Sequence, residues 1–419
     1  MITSGQIGNV DLVKQLNSAI VYRLIDKAGP ISRIQIAEQS QLAPASVTKI
    51  TRQLLERGLI KEVAQQASTG GRRAISLMVE STPFHAIAVR LGRDYLDITL
   101  YDLSGNALVN TTQVFKYKTQ QELVTGLLSQ IDSFVNQHTL LIKEWVALGL
   151  TLPGLIEPET GTVDYMPNID VHQLSLAQIL SERFAVLCFI GNDIRGLALA
   201  EHYFGATKSC QDSILVSVHH GTGAGIIVNG EVFLGHNRNV GEIGHIQIDP
   251  LGLKCQCGNF GCLETVASEP AILAQVRERL KQDYPSKLQH VSPLSIFALC
   301  QAAQQQDELA KQLLIQVGQN LGKALAMTVN LFNPQKIVLA GHIVDAQAII
   351  FPAIRQCIET QSLHNFHQNL PIVASETYKQ PTLGAFAMIK RAMLNGVLLQ
   401  RLLDQSQAME FYQHQTEQI

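Results

Sequence analysis

Apolar residues recur at every fourth position near the start of the chain, at Leu12, Leu16, Ile20 and Leu24, with Val13 and Val21 widening the stripe. That period is helical, so residues 10–27 read as an amphipathic helix that Gly29-Pro30 ends. A second, short helix starts from Ser32 as N-cap with Gln35 as its capping-box partner, and is expected to bury Ile34 and Ala37. A third opens with Pro44 in its first turn, where the missing N–H is harmless, and stops before Gly58. Val47, Ile50, Leu54 and Leu55 form its apolar face; Ser46, Thr48, Lys49, Arg52 and Gln53 form the polar one. Two strands follow, 59–63 and 74–79, joined by a polar loop that contains Gly70-Gly71-Arg72-Arg73. Helix, short helix, helix and wing is the order of a winged helix-turn-helix, whose last helix enters a major groove of double-stranded DNA. Ser46, Thr48, Lys49 and Arg52 are then the expected base or phosphate contacts, with Arg72 and Arg73 in or over the minor groove. A helical dimerisation module with a solvated charged loop would show the same pattern.

From Phe84 the pattern changes to alternating strands and helices. Strands 84–91, 95–101 and 107–117 read as a meander, followed by a helix at 120–137 and strands at 145–151 and 186–190. The order then repeats with strands 213–219, 224–228 and 231–234, where Asn229-Gly230 is a two-residue hairpin turn. Helices 270–281 and 309–331, strands 336–340 and 372–374, and a helix from Leu383 to about Leu403 complete it. The fold class is α/β: a head at 1–81, a first lobe at 82–195 and a second at 196–419, duplicated lobes with a ligand cleft expected between them. The apolar stretch 392–403 is either a partner or membrane-surface helix or one packed on its own subunit.

Length and charge sharpen this picture. A chain of 419 residues exceeds one compact core. With 46% hydrophobic and 16% charged residues, wholesale disorder and collagen are excluded. The net charge of −3 conceals a head of ten basic and six acidic residues on an acidic remainder, the sign expected of a segment that meets phosphate backbone. No apolar run reaches spanning length and the start lacks the pattern of a signal peptide, so the expected compartment is the cytoplasm.

Three of the seven cysteines, Cys255, Cys257 and Cys262, crowd one glycine-containing loop, with His245 shortly before them. One imidazole and three thiolates are the donor set of a closed structural Zn²⁺ site; buried reduced cysteines with an unrelated histidine are the alternative. Glu242 and Glu264 flank the loop, as carboxylates aimed at sugar hydroxyls or as solvated glutamates. His220-Gly221-Thr222-Gly223 follows a strand and reads either as an anion-binding turn or as a plain tight turn. Asp193, after Asn192 at a strand end, is either a ligand contact or an N-cap.

Glu242-Ile243-Gly244-His245, nine intervening residues, then Cys255-Gln256-Cys257-Gly258-Asn259-Phe260-Gly261-Cys262-Leu263-Glu264 resembles the signature of the ROK family, which contains repressors and sugar kinases. With the winged helix ahead of it, the chain is similar to ROK repressors over nearly its whole length, and stretches 32–63, 65–75 and 198–205 are nearest to those that respond to amino sugars. The resemblance implies an actin-like (ribonuclease H-like) two-lobe fold, the zinc site above, and a sugar contacted by Gly154, Asn168, Asn192, Asp193, Glu242, His245 and Glu264. It also implies N-acetylglucosamine 6-phosphate as inducer, palindromic operators at genes for amino-sugar uptake and catabolism, and a homo-oligomer, dimer or tetramer. ROK kinases carry an Asp-x-Gly-Gly-Thr phosphate turn; here the aligned stretch is Arg90-Leu91-Gly92-Arg93-Asp94, so no phosphoryl transfer is expected. A phosphorylated ligand beside Asp193 needs a cation, for which Arg195, Arg90 and Arg93 are candidates, with the Gly221, Thr222 and Gly223 amides as further holders. The competing expectations are a repressor captured by a membrane sugar transporter and a sugar kinase with a fused DNA-binding head.

Overall fold

The computed structural model describes residues 10–64, 75–167, 169–236 and 239–404. The head comprises α1 (Val10–Ala28), β1 (Ile31–Ser32), α2 (Arg33–Ser40), α3 (Pro44–Glu56), β2 (Ile60–Ala64) and β3 (Ile75–Val79), with sheet order β1-β3-β2. The capping box forms as expected: Ser32 Oγ accepts from the Gln35 amide and Gln35 Oε1 accepts from the Ser32 amide. Fixing the start of α2 there turns Ile36 into the core and leaves Ile34 73% exposed, which corrects the expected burial of Ile34. The α1 stripe is also corrected. Val13, Leu16 and Ile20 are exposed, and Ser18, Ala19, Val21, Tyr22 and Ile25 form the buried face. Near Ala19 the backbone of Gly396 comes close: a Cβ on Gly396 would lie 2.8 Å from Gln15 Cγ and 3.2 Å from Ala19 Cβ, so a small residue faces inward there while Val21, Tyr22 and Ile25 fill the core.

After the head come β4 (Phe84–Leu91), β5 (Tyr95–Asp102), β6 (Ala107–Val114), α4 (Gln120–Gln137), β7 (Glu144–Leu152), the hairpin β8 (Leu155–Glu157) and β9 (Thr162–Tyr165), α5 (Leu176–Phe184) and β10 (Leu187–Asn192). Then follow α6 (Asp193–Phe204), β11 (Ser213–Val218), β12 (Thr222–Val228), β13 (Glu231–Val232), α7 (Glu264–Ala267), α8 (Glu269–Lys281), α9 (Ile296–Gln304), α10 (Glu308–Phe332), β14 (Lys336–Ala340), α11 (Gln347–Gln361), α12 (His364–His367), β15 (Ile372–Ala374) and α13 (Leu383–Leu394). The two five-stranded sheets run β10-β7-β4-β5-β6 and β13-β12-β11-β14-β15. Each is an antiparallel three-stranded meander whose first strand pairs in parallel with a later one, β4 with β7 and β11 with β14. The expected duplication is therefore present as topology. Asn229 and Gly230 both adopt positive φ, as the hairpin turn between β12 and β13 requires.

Contacts gather the chain into two units, one through Gly191 together with residues from Ala385 on, the other Asn192–Gly384. The sequence reading assigned residues after 384 to the second lobe; here they fall with the first. The expected continuous helix breaks at Gly396, φ +91°, and resumes over 397–404. Leu394, Leu398, Leu399, Leu402 and Leu403 are buried, so this stretch packs within its own unit. It also fastens the head. Lys390 pairs with Asp26, Arg23 Nη2 donates to Leu394 O at 2.9 Å, and Arg57 donates to Leu402 O at 3.0 Å while pairing with Glu144. Among the described residues no helix is long and apolar enough to cross a membrane.

His85, at the start of β4, is buried and its Nδ1 accepts from the Lys143 amide at 3.1 Å. Burial, aided by the Lys143 charge and opposed by Asp102, lowers its pKa. The unfolded chain therefore takes up a proton that the folded one resists, and stability should be complete above about pH 6.5 and fall as the pH drops below it. Chemical denaturation between pH 5 and 8 should show this slope, and His85→Gln should flatten it. His202, lowered by its own burial against the opposing charge of Glu231, adds to the slope in the same direction. An unchanged slope in the variant would remove His85 from the account.

Candidate functional site

The reading helix is held from beneath. Arg33 Nε donates to the buried Thr51 hydroxyl at 3.1 Å while Arg33 Nη2 pairs with Glu62 on β2 at 2.9 Å, so α2, α3 and the wing strand share one clamp. Val47, Ile50, Thr51 and Leu54 face inward. Thr48, Lys49 and Arg52 are exposed on the opposite face and Ser46 is half-buried. The Thr48 hydroxyl donates to Pro44 O at 2.8 Å, which leaves its lone pairs for an incoming donor. Arg72 and Arg73 lie outside the described residues.

The second unit brings a different group together. Glu242 leads into a 3-10 turn, Ile243–His245, that lies beside the start of β12; the Ala224 amide donates to Gly241 O at 2.7 Å. Gly241 is at φ +95° with Ala224 O only 1.9 Å from where a Cβ would stand, so a side chain there would displace the turn that carries Glu242. Glu264 opens α7, and its Oε2 accepts from the Thr222 amide at 3.3 Å. The Gly221-Thr222 turn thus directs an amide at a carboxylate of this chain. Asn192, not Asp193, is the N-cap of α6: its Oδ1 accepts from the Ile194 and Arg195 amides at 3.0 and 3.2 Å. Asp193 is the first helical residue.

His245, Cys255, Cys257 and Cys262 offer one ligand atom each, all within 4.8 Å of one another. Cys255 Sγ is 3.6 Å from His245 Nδ1, and Cys257 Sγ is 3.7 Å from Cys262 Sγ. A tetrahedral ion with metal–sulfur bonds of about 2.3 Å sets its sulfurs roughly 3.8 Å apart, so the donors fit such an ion. Cys255 and Cys262 are buried and Cys257 is exposed. A hydrogen bond from the Asn259 backbone lowers the Cys257 thiol and burial raises that of Cys262. The loop is also tied by backbone hydrogen bonds, among them Ile248 N to Gly261 O at 2.9 Å, Cys255 N to Asn259 O at 2.7 Å and Leu263 N to Ile246 O at 2.9 Å, and Gly261, φ +67°, is pressed against Asp249 O.

The remaining expected sugar contacts belong to the other unit. Gly154, φ +139°, follows β7, and a Cβ there would lie 2.1 Å from Tyr165 O; Asn168 lies outside the described residues. Arg90 has its own partners, Asp97 at 3.7 Å and the Tyr95 hydroxyl at 3.1 Å, and sits over the Tyr95 ring. Arg93 is exposed in the β4–β5 turn. Sequence reasoning missed Asp97, which makes Arg90 a structural counter-charge, and Asn239, which faces Arg195; neither stands in a motif.

Comparison with known proteins places these features. Residues 86–392 match the ROK family and residues 20–66 the MarR family. The chain is 59% identical over 399 residues to the DNA-binding transcriptional dual regulator NagC of Escherichia coli K12 and, by the same measures, to the N-acetylglucosamine repressor of Shigella flexneri, covering 95% of this chain and 98% of each relative. A crystal structure of a ROK family transcriptional regulator, a homologue of the E. coli Mlc protein, superposes with a TM-score of 0.89 at 43% identity, covering 94% of this chain and all of that one.

Proposed function

The chain belongs to the ROK family, and from that premise we propose that it is a transcriptional repressor of genes for amino-sugar uptake and catabolism, released from its operator by N-acetylglucosamine 6-phosphate. The observation that carries this is the 59% identity to the N-acetylglucosamine repressor along 95% of the chain, head and body together. Two copies set two α3 helices in successive major grooves of a palindrome, with Ser46, Thr48, Lys49 and Arg52 at bases and phosphates and Arg72 and Arg73 toward the minor groove. Glu242, Glu264, Asn192 and Asp193 hold the sugar hydroxyls. His245, Cys255, Cys257 and Cys262 would hold zinc with four protein ligands and no open position, so the metal would brace the loop between the two glutamates and supply no chemistry. His245 turns Nδ1 toward Cys255 Sγ; with that nitrogen committed to the cluster, Nε2–H would be left to donate to a sugar oxygen.

Effector and operator are linked: the factor by which the sugar weakens DNA binding is the factor by which DNA weakens sugar binding. A coupling of about 3 kcal/mol gives roughly 150-fold derepression. Phosphoryl transfer is disfavoured because Arg90 and Arg93 occupy the turn where a kinase approaches phosphate with backbone and carboxylate, and Arg90 is committed to Asp97. Capture by a membrane sugar transporter draws little support from the C-terminal stretch, whose leucines are buried.

Fluorescence anisotropy of a labelled amino-sugar-gene operator, titrated with the phosphorylated sugar and separately with the unphosphorylated one, tests the proposal. Release by the phosphorylated sugar is expected. Tight binding that neither sugar disturbs would overturn the inducer and shift the weight to a protein partner.

A further inference from the structure

The second unit buries a positive charge that its own residues leave under-compensated. Arg195, in the first turn of α6, is 8% exposed. Its Nη2 donates to Asn239 Oδ1 at 3.2 Å, a neutral acceptor, and its buried Nε has no hydrogen-bond partner among the described residues. Glu242 is the neighbouring anion and favours the charged guanidinium against the burial that opposes it, yet among the described residues Arg195 is in no ion pair. Buried charges are ordinarily paired, because desolvation exceeds what a neutral partner returns, so an orphaned guanidinium nitrogen calls for a specific cause.

Its neighbours supply one. Arg195 lies two residues from Asp193, and α6 packs on the start of β12 closely enough that a Cβ on Gly223 would lie 2.7 Å from Ile194 Cδ1. Other anion holders of this unit are already engaged: the Thr222 amide is directed at Glu264, and the Ile194 and Arg195 amides are spent on Asn192. We propose that Arg195 makes this chain select a phosphorylated over an unphosphorylated sugar, its Nε donating to a phosphate oxygen of the effector. This rests on the reading that the second unit binds an amino-sugar effector. A dianion completes the pairing that the free protein lacks, whereas a neutral hydroxyl leaves the guanidinium as it was; the discrimination resides in a charge-assisted hydrogen bond made in a dry environment.

Isothermal titration of the full-length protein with N-acetylglucosamine 6-phosphate and with N-acetylglucosamine decides the matter. Arg195→Gln should weaken the phosphorylated sugar roughly 30-fold or more, the usual loss when one partner of a buried charge pair is removed, and leave the unphosphorylated sugar within about 3-fold. Arg195→Lys should recover part of the loss. Asn239→Asp is nearly isosteric and sets a fixed carboxylate where Arg195 now meets an amide, so it should also erase the preference for phosphate, and it serves if Arg195→Gln does not fold. Equal weakening of both sugars would overturn the proposal and make Arg195 a strap on residues 239–242. Unchanged affinity for the phosphorylated sugar in both Arg195→Gln and Asn239→Asp would overturn it as well. A wild-type protein that binds neither sugar would instead overturn the effector reading.

Discussion

On the proposed zinc site, Cys255→Ala should abolish zinc binding and cost the protein its response to sugar, with inducer affinity falling by about a hundred-fold or more. The loop between Glu242 and Glu264 is anchored in the core by Ile243 and Leu263 and laced by backbone hydrogen bonds such as Ile248 N to Gly261 O, but its tip is not. Its backbone turns on Gly258 and Gly261 at positive φ, and Leu251, Leu253 and Phe260 point to solvent and contribute no core. The four ligand atoms, within 4.8 Å of one another, would tie Cys255 and Cys257 at this tip to His245 and Cys262 near its base. Structural zinc in small domains is worth about 10–16 kcal/mol of folding free energy. Here Val218, Leu263 and Ala267 already sit in a large apolar core, so the unit should remain folded while the loop loses its form. The effect should thus be large on ligand binding and smaller on global unfolding. Metal content by atomic emission, thermal melting, and titration with the phosphorylated sugar measure the three parts separately. Full inducer response in a protein shown to be metal-free would refute the bracing role.

Lys49→Ala together with Arg52→Ala should abolish operator binding at physiological salt. Each removes an exposed cation from the face of α3 opposite its core contacts, so neither change disturbs Val47, Ile50 or Leu54. A base contact is worth about 1–3 kcal/mol and a phosphate contact lowers the salt slope by about one. Being three residues apart on one helix face, the two need not add, yet losing both should lower affinity on the order of a hundred-fold or more. Anisotropy at several salt concentrations distinguishes the two roles, since loss of a phosphate contact flattens the slope and loss of a base contact reduces preference for the operator over random DNA. Sugar binding should be unaffected. Retained operator affinity would move the reading surface away from this helix.

Local chemistry was legible in the sequence. Ser32 and Gln35 announced the start of α2, Pro44 that of α3, Asn229-Gly230 a hairpin, and His245 with three cysteines a metal cluster, because each depends on residues close along the chain. Rotational choices were less so. Leu16 and Ile20 mark a helical period, but which face turns inward depends on what approaches, and on α1 the approaching surface includes Gly396 from the far end of the chain. The two-residue β1 is too short to carry a period. The placement of residues after 384 was hidden for a similar reason: Leu398 and Leu402 read as buried whichever unit covers them. Arg195 was visible as a cation near Asp193, whereas its burial and its meeting with Asn239 are tertiary facts.

The fastening of the head by the last part of the chain bears on the protein's synthesis. Asp26 and Lys390 are 364 residues apart, Arg23 and Leu394 371, Arg57 and Leu402 345. At about 5–20 residues per second a ribosome needs roughly 20 to 70 seconds to separate these partners in time. For that interval the emerging head has its own three helices but none of these anchors. A nascent chain interrupted before Lys390 would therefore present the head without these anchors, a DNA-binding module, on the proposed function, not yet fastened to its body.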